Sequence, residues 1–188
     1  MATTEVVAGG WTYQRYLELD DDERYEIIDS ELLVTPSPGT RHQIVAAELG
    51  HHFLDHVRTC GLGLVLFAPT DVVLSEENVV QPDVLFIRSE RVAELVRERA
   101  IHGAPDLVVE ILSPSSLVRD RHRKRALYER AGVPEYWIVD PGNRAIEVFS
   151  RGDGGYELHS SAQASGSVTS RVLEGFSVAV EDVMPAAA

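Results

Sequence analysis

Asp83, Glu110 and Lys124 are the side chains whose types and surroundings point most directly to chemistry. Glu110 interrupts the apolar run Leu107-Val108-Val109-Glu110-Ile111-Leu112, and on a strand its same-face neighbours are Val108 and Leu112. A carboxylate on such a face is costly unless it is paired or bound to a metal. Asp83 opens a second apolar run, Val84-Leu85-Phe86-Ile87, just after Pro82. Of seventeen basic residues sixteen are Arg, and Lys124 is the single lysine. A GC-rich coding background accounts for the arginines. A lysine standing against it suggests a position where a compact ammonium serves and a planar guanidinium does not; the alternative is chance. Two carboxylates can hold a Mg²⁺ ion (Mn²⁺ being an alternative) and lower the pKa of a bound water, while a neighbouring lysine positions that water or offsets charge building at phosphorus.

Spacing decides which acids can share an ion. Asp106 and Glu110 lie on one strand four residues apart, hence about 13 Å from each other, whereas Mg²⁺ takes oxygen ligands at about 2.0–2.1 Å. Asp83 lies on a different strand, and neighbouring strands are only about 4.8 Å apart. Asp83 and Glu110 are therefore expected within about 5 Å of one another. Lys124 falls on a helical stripe with Leu117, Asp120, Leu127, Tyr128 and Ala131, the face that meets the sheet. The alternative for Lys124 is a structural ion pair with Asp120 at i, i+4.

The elements that must position these residues follow from periodicity and punctuation. Residues 11–19 suggest a short helix. Residues 25–28 and 31–34 suggest a hairpin turning at Asp29-Ser30. Thr40 is the expected N-cap of a helix to about residue 58, with Val45, Leu49, Phe53 and Val57 at helical spacing. Strands are expected at 62–67, 71–74, 79–87 and 107–112, and a charged helix at 91–99. Ser113-Pro114-Ser115-Ser116 opens a helix to about residue 131, closed by Gly132 and Pro134. Strands follow at 136–139 and 145–149. Residues 152–170 are polar and loop-like, and 172–180 give one more strand. The order predicts an α/β (α+β) chain with a mixed sheet flanked by helices.

Composition bounds the rest. The 188 residues fit one domain spanning 1–188. The single cysteine, Cys60, permits no internal disulfide, which favours a reducing compartment, and it is expected as a small core residue. Residues 1–10 lack the pattern of a secretory signal, and no apolar run reaches the ~20 residues of a membrane helix. The expected location is cytoplasmic. The net charge of −13 argues against general attraction to nucleic acid. Positive charge is local, with Arg119, Arg121, Arg123, Lys124 and Arg125 close together. Arg121 and Arg125 are candidates for phosphate contacts, the alternative being a solvated helix face. His42, at the start of the first long helix, could reach substrate, but a structural contact there is favoured. His51, His52 and His56 lack the flanking glutamate or cysteines of a zinc site. Glu26 lies between strand residues and could equally be an edge carboxylate facing solvent.

Tyr25-Glu26-Ile27-Ile28-Asp29, Pro38 to His42, Gln81-Pro82-Asp83, Ala104 through Ser115, Lys124-Arg125-Ala126-Leu127-Tyr128, and Gly132-Val133-Pro134-Glu135-Tyr136-Trp137 to Asp140-Pro141 resemble the bacterial Uma-two family. Its members are grouped with the PD-(D/E)XK endonucleases. The resemblance covers about residues 11–150 and continues weakly to 180. It implies a restriction-endonuclease-like core with an N-terminal hairpin and C-terminal strand additions. It also implies a metal-dependent endonuclease acting on nucleic acid, DNA before RNA, and a homodimer with contacts at 91–99 or 172–180. Asp83 and Glu110 match the metal carboxylates. Lys124 matches a lysine moved from the strand to the following helix, the parent position being Leu112. Glu26 matches an additional acidic residue, and Ser30 stands where the family usually has Gly. The alternative from a different class is a catalytically silent binding or scaffold protein on the same fold, which the acidic charge favours. A carboxylate-pair glycosidase would leave Lys124 without a role.

Overall fold

The computed structural model describes residues 6–7, 9–21, 23–113 and 119–184. The chain runs β1 (Val6–Val7), α1 (Tyr13–Tyr16), β2 (Tyr25–Ile28), β3 (Glu31–Val34), α2 (Thr40–Cys60), β4 (Gly63–Phe67), β5 (Val72–Ser75), β6 (Asn78–Val80), β7 (Val84–Arg88), α3 (Ser89–Leu95), β8 (Ile101–His102) and β9 (Leu107–Ile111). A π-helical stretch, Arg119–Lys124, leads into α4 (Arg125–Ala131). Then come β10 (Glu135–Asp140), β11 (Ala145–Gly152), β12 (Gly155–Gln163), β13 (Ser167–Thr169), β14 (Ser177–Ala179) and α5 (Val180–Val183). None of the described helices is long and apolar enough to cross a membrane.

The central sheet has the order β12-β11-β10-β9-β7-β4. β9 and β10 pair in parallel, and their neighbours pair antiparallel. Every residue of β9 and β10 is buried, as expected for strands covered on both faces. On one face Val45, Leu49, Phe53 and Val57 of α2 pack with Val84, Val109 and Trp137, joined by Leu173, Phe176 and Val183 from the C-terminal segment. On the other, Leu127 and Tyr128 of α4 pack with Leu85, Val108, Tyr136 and Ile138, together with Ile28, Leu33, Val72 and Val80 of the second sheet. That second sheet has the order β1-β3-β2-β6-β5-β8.

The hairpin β2–β3 forms as its sequence suggests, with Asp29 and Ser30 at φ 52° and 63°. Positive φ at both central residues is what a type I′ turn requires. Asp29 is also held by the Asn78 side chain, which accepts from its backbone N–H at 3.0 Å. The opening of the Lys124 helix at Ser115 and Ser116, Leu117 and the side chain of Asp120 lie outside the described residues. Lys124, Leu127 and Tyr128 are buried together as the helical stripe requires.

Several expectations are corrected. Gly39, not Thr40, is the N-cap of α2, and no side chain caps it. The strand expected over 79–87 is two strands in different sheets, β6 and β7. Between them Pro82 has no N–H to donate, and the Gln81 N–H donates to the Glu26 carboxylate at 2.9 Å instead of to a ladder. The polar stretch 152–170 carries the nine-residue strand β12. As the outermost strand of the sheet it is mostly exposed, so backbone pairing to β11 defines it without an apolar alternation. The segment 172–180 is not one strand: it turns at Gly175, φ 77°, before β14, and Leu173, Phe176, Val178 and Val180 are all buried. Cys60, the last residue of α2, is exposed rather than in the core.

Candidate active site

Glu110 points from β9 toward α4 and is 3% exposed. Its Oε1 accepts from the Tyr128 hydroxyl at 2.6 Å and from Lys124 Nζ at 2.9 Å. The same ammonium lies 2.7 Å from Glu26 Oε1 on β2. Glu26 is buried, which removes the solvent-facing alternative. Lys124 thus bridges a carboxylate of the central sheet and one of the second sheet. Its helix is fastened above the hairpin by Arg123 to Glu31 and Arg130 to Asp29, both 2.8 Å. Burial, and next the charges of Glu110 and Glu26, hold the Tyr128 phenol well above its ordinary pKa. It therefore stays protonated and donates to Glu110 at neutral pH.

Asp83 lies one residue before β7. The register Val84↔Val109 sets it abreast of Glu110 across the ladder, and its N–H donates to Val109 O at 3.1 Å. Its carboxylate takes a different direction from that of Glu110. Asp83 Oδ2 accepts the Ile111 N–H at 2.7 Å and lies 3.2 Å from His42 Nε2 in the first turn of α2. The Asp83 side chain is 16% exposed, so it forms a rim beside the buried Glu110 cluster. The contact of His42 at the start of α2 is thus with Asp83 itself. Among the described residues no three His, Cys, Asp or Glu side chains converge as a complete ligand set. One or two carboxylates with waters completing the shell is nonetheless the donor set Mg²⁺ usually takes. Asp83 and Glu110 each offer hard oxygens of that kind, but Asp83 is turned toward α2 and Glu110 toward α4.

The comparisons with known proteins bear on this arrangement. The profile of the Uma2 family, described as "Putative restriction endonuclease", matches residues 12–181. The chain belongs to the Uma2 family. A crystal structure of "a putative nuclease belonging to DUF820" from Anabaena variabilis superposes with a TM-score of 0.76 at 17% identity, covering 93% of this chain and 97% of that one. It shares the mixed-sheet fold. An uncharacterized protein of Synechocystis, slr1290, is 25% identical over 176 residues, covering 89% of this chain and 88% of its own.

In this Uma2 chain Arg121, Arg125 and Asp106 are engaged internally. Arg121 pairs with Glu147 at 2.7 Å and Asp140 at 3.5 Å. Arg125 donates to Tyr156 O at 3.3 Å and lies 4.3 Å above the Phe149 ring. Asp106, at the other end of β9 from Glu110, is enclosed by Arg91 at 2.9 Å and the Arg88 backbone N–H at 2.9 Å. Two participants were not singled out from the sequence. Tyr128 stands at i+4 from Lys124 on the same stripe, but spacing alone does not separate a hydroxyl donor from core packing. The Gln81 N–H carried no signal, because a backbone donor has none.

Proposed function

We propose that this chain is a metal-dependent endonuclease hydrolysing phosphodiester bonds of nucleic acid, DNA before RNA, with Asp83 and Glu110 as the carboxylates for Mg²⁺ or Mn²⁺ and Lys124 as the catalytic cation. The observation that carries this reading is the lone lysine, buried and bridging Glu110 and Glu26, with Asp83 on the strand beside that of Glu110. A bound divalent ion would supply Lewis-acid polarisation of the phosphate and a more acidic water. The chain's own residues do the rest. Glu26 and Glu110 hold the Lys124 ammonium, Tyr128 fixes the Glu110 carboxylate, and His42 with the Ile111 N–H fixes Asp83. Lys124 orients the attacking water and offsets negative charge at phosphorus. Water oxygen bonds to phosphorus and gives up one proton to solvent, the bond to one ester oxygen breaks, and that oxygen takes a proton from solvent and leaves as an alcohol.

Arg121 and Arg125, first expected to contact phosphates, are already engaged with Glu147, Asp140 and Tyr156, so we place any such contact behind those internal bonds. A twofold dimer would suit duplex cleavage. Residues 172–180 offer it little surface, because their large apolar side chains are buried in the chain's own core, which leaves the α3 region. A monomeric mass by light scattering would remove the dimer. The central test incubates plasmid and single-stranded DNA with the protein plus Mg²⁺, Mn²⁺ or EDTA. Cleavage with either metal, lost with EDTA and in Glu110→Gln, is expected. Intact substrate under every metal condition would overturn the enzyme reading in favour of a silent nuclease-fold binding protein.

A further inference from the structure

A groove of about 360 Å³ opens between the first half of α2 and the end of β4, and Asp83 lines it. Its walls include His42, Ala47, His51, Leu54 and Phe67. Phe67 is 36% exposed, one of five large hydrophobic side chains left in solvent among the described residues. Its ring is nevertheless set firmly against α2. A Cβ added at Gly50 would lie 2.3 Å from Phe67 Cε1 and 2.9 Å from Cζ, so the ring occupies the space that a side chain there would fill. The Thr70 hydroxyl donates to Phe67 O at 2.6 Å and secures the backbone that carries it. The result is a positioned aromatic face in the groove that holds the rim carboxylate of the candidate site.

Charge limits what else could bind substrate. The chain carries −13, and Arg121, Arg123 and Arg125 are engaged by Glu147, Glu31 and the Tyr156 carbonyl. Phosphate neutralisation by these three arginines, on the α4 side, is therefore weak. Stacking of a base on an aromatic ring does not depend on it and contributes for any base. A duplex cannot use such a face without extruding a base.

We propose that the groove seats an unpaired nucleobase stacked on Phe67, so that the substrate class is single-stranded nucleic acid or the unpaired end of a duplex. The proposal rests on the nuclease reading for what happens at Asp83, but binding can be measured without it. The probe is a fluorescein-labelled oligothymidine, compared with its blunt duplex and with an abasic strand of equal length. Anisotropy titrations use Glu110→Gln, which removes a residue outside the groove. The single strand should bind about tenfold or more tighter than either control, with a shallow dependence on salt. Phe67→Leu, which keeps an apolar side chain but no ring, should lose about tenfold, and Phe67→Tyr should keep most of the affinity. Gly50→Ala, which forces the ring aside, should lose a similar factor while circular dichroism confirms the fold. Equal binding of the abasic strand, a preference for duplex, or no effect of Phe67→Leu would overturn the proposal. So would a dimer that Phe67→Glu disperses, which would assign the groove to a second copy. Single-strand binding with no cleavage by the wild type would sink only the nuclease reading. Cleavage that Phe67→Leu leaves unchanged would sink only this one.

Discussion

Glu110 and Glu135 are two buried carboxylates on neighbouring strands of one sheet, and they differ in what encloses them. Glu135, on the α2 side, is fully buried and receives neutral donors: Trp137 Nε1 at 2.8 Å, Ser170 Oγ at 2.6 Å, and the backbone N–H groups of Arg171 at 2.6 Å and Val172 at 3.1 Å. Those donors are fixed in the fold, and the carboxylate pins the turn that brings Phe176 into the core. Glu110, on the opposite face, meets a side-chain ammonium and a phenol, and its ammonium is shared with Glu26. A cage of backbone and indole donors stabilises one arrangement. A lysine shared between two acids depends instead on side chains from three separate elements keeping their places. Identical residue type and burial therefore come with different partners, and the donors set how firmly each carboxylate is fixed.

Lys124→Ala tests that distinction with the largest expected effect. Cleavage should fall by about 10²-fold or more. With Lys124 only 2% exposed, the fold depends on it as well. Removing the cation leaves Glu26 and Glu110 without their shared partner at a cost of about 3–5 kcal/mol. Adding Glu26→Gln should recover much of the stability in urea denaturation and none of the activity. Full specific activity in Lys124→Ala would place Glu110 in the same structural category as Glu135.

Glu135→Ala should act in the opposite sense. Stranding several buried donors, at about 1–3 kcal/mol each with partial relief by water, predicts a loss of about 3 kcal/mol in urea denaturation. Cleavage per folded molecule should be unchanged, and a specific loss of rate beyond the unfolded fraction would break the comparison.

The smallest effect is a dependence on pH at a third carboxylate. Burial opposes the charge of Asp140, but hydrogen bonds from Asn143 and the nearby Arg121 guanidinium outweigh it and hold the pKa below the ordinary value. A depressed folded-state pKa contributes stability that is present above the unfolded value, near 3.8, and is lost as pH falls through the folded value. The stability difference between wild type and Asp140→Asn should therefore shrink on acidification below about pH 4. Arg121→Ala should move that loss to higher pH. A difference that stays flat with pH would show that Asp140 acts through Asn143 geometry alone.

Much of the central sheet was legible because its signals are local. Leu107 to Ile111 reads as a buried strand from its own composition, the hairpin from Asp29-Ser30, and the end of α4 from Gly132, which sits at φ 85°. The split at Gln81-Pro82-Asp83 was not recognised, because an apolar run looks the same whether one sheet or two receive it. β12 was missed because an edge strand needs a partner's backbone more than apolar side chains. Cys60 was misplaced because a small residue at a helix end carries no periodic information.

By itself the sequence determined that Glu110 faces an apolar environment, that Lys124 lies on the buried stripe of the following helix, and that Asp83 stands on another strand. Period 2 and period 3.6 specify a face, and the face specifies burial. Only the tertiary structure decided who meets whom. The packing of the second sheet under α4 brings Glu26 to Lys124, and the docking of α2 brings His42 to Asp83. It also turns the Asp83 carboxylate to the rim and consumes Arg121 and Arg125 in internal bonds. Periodicity says which way a side chain points along its own element. What lies opposite depends on how separately formed elements pack, and that is settled by apolar surfaces far apart in the chain.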